Sequence, residues 1–441
     1  MPSSRRPPWG RGLQALPLAL IAALLAGCSL HPLHPQAPPA GSDWVAAWGS
    51  AQLAQAPAVD ASSQALRDVT LRQVVRTTVE ADSLRVRVSN LFGREPLQLG
   101  AASVALLQPG SASGRPALQA GSQRPLSFEG RRELSLAPGA EAWSDPVALA
   151  VPRLADVAVQ MHVVAAPAWA TVHPGSRISS WTVPGNRVDA GDWADASPLD
   201  GWWHLAAVDV RPRQPQPVLV AIGDSITDGY GVPPGSYQRW TDALARRLAA
   251  QGRAAAVVNT GIGGNRVLND GLGPSVLARF ERDALARSGV THVVLLAGVN
   301  DLGTSHRQRA TTPDSREALL NQLAAALSQL EQRAAEHGVC LFVATVMPYA
   351  GSGYYQPQPE NEADRQTLNA FIRRPGGFDG MVDFDALTRD PARPSRLKAG
   401  LDNDGLHPSM AGYQAMADAF PVDWLDRRCP ARKTVRIDGQ K

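Results

Sequence analysis

The sequence is poor in cysteine, has no surplus of either charge and offers little apolar sequence in long runs. Three cysteines in 441 residues are too few to frame a disulfide-built scaffold. A single apolar stretch, inside the first 27 residues, is long enough to concern a membrane, which excludes a polytopic membrane protein. Lys and Arg total 43 against 40 Asp and Glu; Arg5, Arg6 and Arg11 precede residue 28 with no acid beside them, so removing them leaves 40 of each sign. A balanced body has no electrostatic footprint for nucleic acid or anionic lipid. What remains is 44% hydrophobic and 19% charged, a core-forming composition rather than a disordered one. The length suits two or three domains of about 100–200 residues each.

The N-terminus reads as a processing signal. Early arginines are followed by an apolar stretch from Leu16 to Ala26 and then by Leu25-Ala26-Gly27-Cys28. This resembles a bacterial lipoprotein signal, which implies removal of residues 1–27, lipidation of Cys28 and export to the cell envelope; a plain secretory signal or a membrane anchor are the alternatives. Residues 28–42, with His-Pro and Pro-Pro pairs, read as a stiff tether. Cys340 and Cys429 are then left in an oxidising compartment where two can pair. The apolar run Val339 to Val343 around Cys340 tips the reading, narrowly, toward a buried unpaired residue.

From Asp43 to about Arg213 apolar and polar residues alternate over short spans, as at Leu84, Val86 and Val88 or Val157, Val159 and Met161, with turn residues between. No long helical period intervenes, and residues 43–213 are expected to form an antiparallel β-sandwich. Eight of the 11 tryptophans lie in this half. Filling a core or an interdomain seam is the expected role, with stacking on sugar rings the alternative.

After Arg213 strands apolar on both faces alternate with helical periods. Strands are expected at 217–222, 257–259, 293–297, 339–346 and 381–384. Helices are expected around Tyr237 to Leu248, at 274–288, along the leucines at 320, 323, 327 and 330, at 362–373 and at 410–425. This is the pattern of a parallel sheet covered by helices, over residues 214–430, followed by a tail at 431–441. In such sheets chemistry gathers at the carboxyl ends of the strands. Those ends carry Gly223-Asp224-Ser225, Gly261-Ile262-Gly263-Gly264-Asn265 and Gly298-Val299-Asn300-Asp301, and Asp404 to His407 precedes the last helix.

Each block alone is a common turn. Together they can build nucleophilic catalysis. A serine hydroxyl needs a base within hydrogen-bond reach and a group to hold that base. His407 can take the Ser225 proton, and Asp404 can fix the far ring nitrogen and stabilise the imidazolium. The amide of Asn300 and the backbone N–H groups of Ser225 and Gly264 can face an oxyanion.

In order and spacing these blocks resemble the SGNH hydrolases, also called GDSL esterases, over about residues 215–429. The resemblance implies a three-layer α/β/α, flavodoxin-like catalytic domain, with Ser225 as nucleophile, His407 and Asp404 completing a triad, and Gly264 and Asn300 as oxyanion donors. It implies no cofactor, no metal, and a small-molecule or polysaccharide ester as substrate, with short acyl groups on carbohydrate expected. One departure is Gly263, where many members carry serine, and a looser turn is expected there. The preceding β-rich half, with Asp43 to Trp48 and Ser89 to Gly93, is similar to the front part of a two-domain bacterial branch of that family.

Other readings fit less well. The glycine turn at 261–264 lacks the full dinucleotide fingerprint. No histidine pair has zinc-ligand spacing. Asp383 and Asp385 compete with Asp404 as the acid, although capping suits them better. Asp224 reads as a turn-former, His292 as structural, and His306 as a loop residue that could reach substrate. A glycan-binding lipoprotein without catalysis, and a lysophospholipase or arylesterase of the same fold, are the alternative functions.

Overall fold

A computed structural model describes residues 43–56, 66–113, 115–191, 193–308 and 310–431. Cys28, the signal and the tether lie outside the described residues, as does the tail beyond residue 431.

Among the described residues the first half is built of antiparallel strands, with one 3₁₀ turn at Ser111–Ser113. A five-stranded sheet pairs Val45–Gly49, Leu205–Val210 and Ala81–Ser89, with Glu141–Trp143 and Val147–Val151 both against Ala81–Ser89. A seven-stranded sheet is centred on Arg67–Arg76, Asp156–Ala165 and Leu97–Leu106. A three-stranded ribbon joins Leu53–Gln55, Ala170–His173 and Trp202–Trp203. The alternation seen at 84–88 is a burial pattern: Leu84, Val86 and Val88 are fully buried, while Arg85 and Arg87 between them are not. The N-terminal half thus consists of antiparallel sheets.

The second half is a five-stranded parallel sheet of β1 (Val218–Gly223), β2 (Ala256–Gly261), β3 (His292–Leu296), β4 (Cys340–Ala344) and β5 (Gly380–Val382), in the order β2-β1-β3-β4-β5. Its connections are helical: α1 (Ser225–Asp228), α2 (Trp240–Ala250), α3 (Val276–Phe280), α4 (Val299–Gln308), α5 (Pro313–Glu336), α6 (Pro359–Ile372), α7 (Phe384–Thr388) and α8 (Met410–Ala419). Strand order reverses beside β1, between β2 and β3, and that switch point opens the sheet's carboxyl end for a site. Among the described residues no helix is long and apolar enough to cross a membrane.

Four sequence expectations change. Tyr237 is not on α2: it has φ +52° and the helix begins at Trp240, while its ring lies 3.5 Å beneath the Arg76 guanidinium. The last helix stops at Ala419, because Pro421 forces the preceding residue out of the helical region, and a 3₁₀ turn, Val422–Asp426, follows. His306 sits within α4 rather than in a loop. Cys340 and Cys429 form a disulfide, with Cα atoms 5.2 Å apart. Cys340 is thus both buried and paired, and the neighbouring apolar run says nothing against pairing.

The two halves share a continuous apolar core and a polar seam. Arg287 donates to the carbonyls of Ser50 (2.8 Å) and Ala206 (3.2 Å), and Ser288 Oγ–H donates to Asp209 (2.5 Å). Buried Trp202 meets Trp48 edge-on at 4.8 Å and stacks on His173 at 5.5 Å. His173 in turn contacts Asp228 of α1 at 3.0 Å, one turn from Ser225. The tryptophans traced here are seam and core residues, as their number in this half suggested.

Candidate active site

β1 ends at Gly223 and the chain turns directly into α1. A Cβ at Gly223 would lie 2.4 Å from the carbonyl oxygen of Leu296, so only glycine lets β1 and β3 close here. Asp224 caps α1 by accepting from the N–H of Ile226 at 2.9 Å, which places Ser225 at the helix start. Burial pushes the Asp224 carboxyl up to about 7, and its Oδ2 has no partner. It is the turn-former the sequence suggested.

Ser225 Oγ lies 2.8 Å from His407 Nε2, and His407 Nδ1 lies 2.8 Å from Asp404 Oδ2. A carboxylate only accepts, so Nδ1 carries the ring proton and Nε2 is left to accept from the serine hydroxyl. Asp404 Oδ1 also accepts from the N–H groups of His407 (2.8 Å) and Leu406 (3.1 Å). Burial opposes the Asp404 charge, but the bonds from His407 hold its carboxyl below the ordinary range. For His407 burial is the larger influence and lowers its pKa, with the Arg177 charge acting in the same sense and Asp404 in the opposite one.

The second and third blocks converge on the same point. Ile262 to Asn265 form a turn closed by Asn265 N–H to Ile262 O at 3.1 Å, so Gly263 in place of serine leaves it intact. Gly264 has φ +71°, and a Cβ there would meet Leu272 at 2.8 Å. Asn300 Nδ2 donates one hydrogen to Asn265 O at 2.8 Å, leaving the other free for a ligand. All of Ser225, Gly264, Asn300, Asp404 and His407 line one cleft of about 720 Å³.

Several further residues shape the cleft. Tyr355 O–H donates to Asn300 Oδ1 at 2.6 Å, which fixes which end of that amide faces the cleft. Tyr230 stacks on His407 with ring centroids 4.0 Å apart, and Arg177, from the β-rich half, lies over the Tyr230 ring at 5.8 Å. Asp301 accepts from the N–H groups of Val267 (2.8 Å) and Leu268 (3.0 Å), tying the second block to α4; burial raises its carboxyl to about 6. Beneath the site, buried Arg279 donates to Gly223 O (2.9 Å), Thr260 O (2.6 Å) and Asn265 Oδ1 (3.0 Å). These contacts join positions far apart in sequence, which no local pattern records.

The competing residues are engaged elsewhere. Asp385 pairs with Arg365 at 2.7 Å and Arg373 at 2.6 Å, and Asp383 binds Arg373 and caps α7. Asp402 accepts from the Gly405 N–H at 2.6 Å, shaping the turn before His407. His292 is buried against Phe342, and the His306 ring nitrogens lie 3.0 and 3.1 Å from the carbonyl oxygens of Leu302 and Tyr355. Among the described residues one group with metal-ligand geometry occurs, Cys340, Asp379 and Cys429, and its two sulfurs are joined in the disulfide.

The parallel sheet thus brings these four loops together at one cleft. Residues 221–415 match the GDSL-like Lipase/Acylhydrolase family; the chain carries a domain of this family and is a hydrolase acting on ester bonds. That sets aside a purely glycan-binding role. Solved structures similar to it include a GDSL-like lipase from Bacteroides thetaiotaomicron (18% identity, 47% of this chain and 88% of that one, TM-score 0.36). An acetyl xylan esterase from Geobacillus stearothermophilus (21% identity, 49% and 97%, TM-score 0.34) is another. A third is a lipase/acylhydrolase from Enterococcus faecalis (23% identity, 49% and 100%, TM-score 0.35). No curated protein matches the chain.

Proposed function

We propose that the protein is a serine esterase that removes short acyl groups from carbohydrate through a Ser225–His407–Asp404 triad. The observation that carries this reading is the pair of 2.8 Å contacts running from Ser225 through His407 to Asp404 at the floor of the cleft. His407 Nε2 takes the hydroxyl proton as Ser225 Oγ attacks the ester carbonyl, giving a tetrahedral oxyanion. The N–H groups of Ser225 and Gly264 and the free hydrogen of Asn300 Nδ2 stabilise that charge. His407 then protonates the departing alcohol, and water, deprotonated by the same imidazole, releases the acid from the acyl-enzyme.

A second reading, aryl-ester hydrolysis, is favoured by the rim: Tyr230, Leu272 and Tyr354 are 45%, 74% and 60% exposed and all line the cleft. Hydrolysis of p-nitrophenyl acetate, with Ser225→Ala as the inactive control, tests the triad; equal rates would overturn it. An acyl-length series tests the leaning to short chains, and a maximum at octanoate or longer esters would overturn that part. For location we propose a lipid anchor at Cys28 on the cell envelope. The Cys340–Cys429 disulfide supports export, since such bonds persist in oxidising compartments.

A further inference from the structure

Ser225 opens a helix of a single turn, Ser225–Asp228, which is closed by Gly229 at φ +92°. So short a helix does not hold itself, because its few hydrogen bonds do not offset the ordering of its backbone. The Ser225 carbonyl accepts from the N–H groups of Gly229 and Tyr230, both at 2.9 Å. Whatever grips the far end of α1 therefore also sets the nucleophile.

The grip comes from the β-rich half. His173 ends the strand Ala170–His173, which is paired on one side with Leu53–Gln55 and on the other with Trp202–Trp203. Its Nδ1 lies 2.7 Å from the carbonyl oxygen of Ala51, and its Nε2 lies 3.0 Å from Asp228 Oδ1. Both partners only accept, so the ring makes both bonds when each nitrogen carries a hydrogen. Trp202, stacked on the imidazole, fixes its plane. His173 and Asp228 are 3% and 4% exposed, so neither has water to replace the other.

Two further contacts close on the same residue. Arg239 donates to the Asp228 carbonyl at 2.9 Å and also to the carbonyls of Ser176 and, at 3.4 Å, Gly175. A Cβ at Gly175 would lie 2.0 Å from Asp228 Oδ2, so the β-rich chain presses directly on that carboxylate. The segment 173–176 is thus fastened to the end of α1 through the carboxylate and the carbonyl of Asp228 together. None of His173, Gly175, Asp228 and Arg239 lines the Ser225 cleft, so none can act by touching the ester.

Resting on the esterase reading above, we infer that His173 is a positioning residue supplied by the β-rich half: through Asp228 it holds α1 so that Ser225 Oγ stays in line with His407 Nε2. The test compares full-length variants on p-nitrophenyl acetate, with melting curves to establish that each is folded. His173→Ala should lower kcat by about 10- to 100-fold with KM nearly unchanged, the loss that a shift of about 1 Å at the reacting atoms causes. His173→Gln, whose amide can donate to Asp228, should recover most of that loss. Ser288→Ala, which cuts a seam bond to Asp209 that involves no part of α1, should keep the wild-type kcat. An unchanged kcat in folded His173→Ala, a rise in KM alone, a Gln variant as slow as the Ala variant, or an equal loss in Ser288→Ala overturns the role of His173. The esterase reading then still stands on wild-type turnover. If His173→Ala does not fold, Gly175→Ala works the same lever, since its Cβ displaces the Asp228 carboxylate with His173 in place; a full kcat there overturns the proposal. A wild-type protein that hydrolyses no ester, or Ser225→Ala as fast as the wild type, overturns both.

Discussion

At His407 two influences of opposite sign meet, and their balance is readable in a pH profile. An ion pair with Asp404 would lift an imidazole, and the sequence alone, showing only Asp404 three residues away, points that way. Burial outweighs it, aided by the Arg177 charge, and the net direction is downward from 6.5. In the proposed mechanism the neutral ring is the base, so the acid limb of kcat/KM should lie below about pH 6.5. Arg177→Ala should move that limb upward, and a wild-type limb above the ordinary histidine value would refute the balance. Stability has the same sign: a histidine held lower in the folded state loses its stabilising contribution as pH falls through the folded value. His204, pushed by burial to about 4, acts likewise between about pH 6.5 and 4. Tyr355 makes a separate prediction. Its hydroxyl fixes the Asn300 amide without itself lining up with the triad, so Tyr355→Phe should lower kcat while leaving KM nearly unchanged. The loss should be smaller than the roughly 10²–10³ typical of deleting an oxyanion donor outright. In an Asn300→Ala background the same change should have little further effect, and additive losses would show that Tyr355 acts by another route.

Among elements, the strands were the most legible feature, because period-two burial at 84–88 and unbroken apolar runs at 218–222 and 293–297 report directly on which faces are covered. The convergence of Ser225, Gly264, Asn300, Asp404 and His407 was legible for a related reason: three blocks sit where a strand turns, the fourth precedes α8, and each carries its polar groups within a few residues. Element ends were harder: Tyr237 has φ +52° and its ring packs under Arg76 across the seam, a contact that no local pattern records. Arg279 was invisible for the same cause. It stands in an apolar helical stretch, yet its guanidinium ties the carbonyls ending β1 and β2 to Asn265 and pairs with Asp283 at 3.2 Å. Removing it takes a donor from three acceptors beneath the site, of which Gly223 O keeps the Ile262 N–H at 3.0 Å. Arg279→Met should therefore destabilise by about 3–5 kcal/mol, as breaking a buried pair does. A denaturant titration measures this, and a cost under about 1 kcal/mol would mean that Arg282 and Arg287, also beside Asp283, carry the load.

At the scale of the whole molecule the site depends on both halves: the seam carries His173 against Asp228, and Arg177 reaches Tyr230 from the β-rich side. A second long-range restraint lies away from the cleft. The Cys340–Cys429 disulfide closes a loop of 89 residues that runs from β4 through α6, β5, α7 and α8. This loop contains Asp404 and His407, so the bond limits the unfolded ensemble of the segment that supplies the proposed acid and base. Loop-closure entropy for that length gives about 4–5 kcal/mol as an upper figure, and natural disulfides typically contribute about 2–5 kcal/mol. Reduction should consequently lower Tm by several degrees. It should leave the rate of p-nitrophenyl acetate hydrolysis at 25 °C nearly unchanged, because neither sulfur lines the Ser225 cleft. Thermal melts and initial rates with and without a phosphine reductant, at matched thiol counts, separate the two effects. An unaltered Tm with both thiols free would show that native packing alone holds the segment, and a lost rate at an unaltered Tm would place the disulfide in the catalytic geometry.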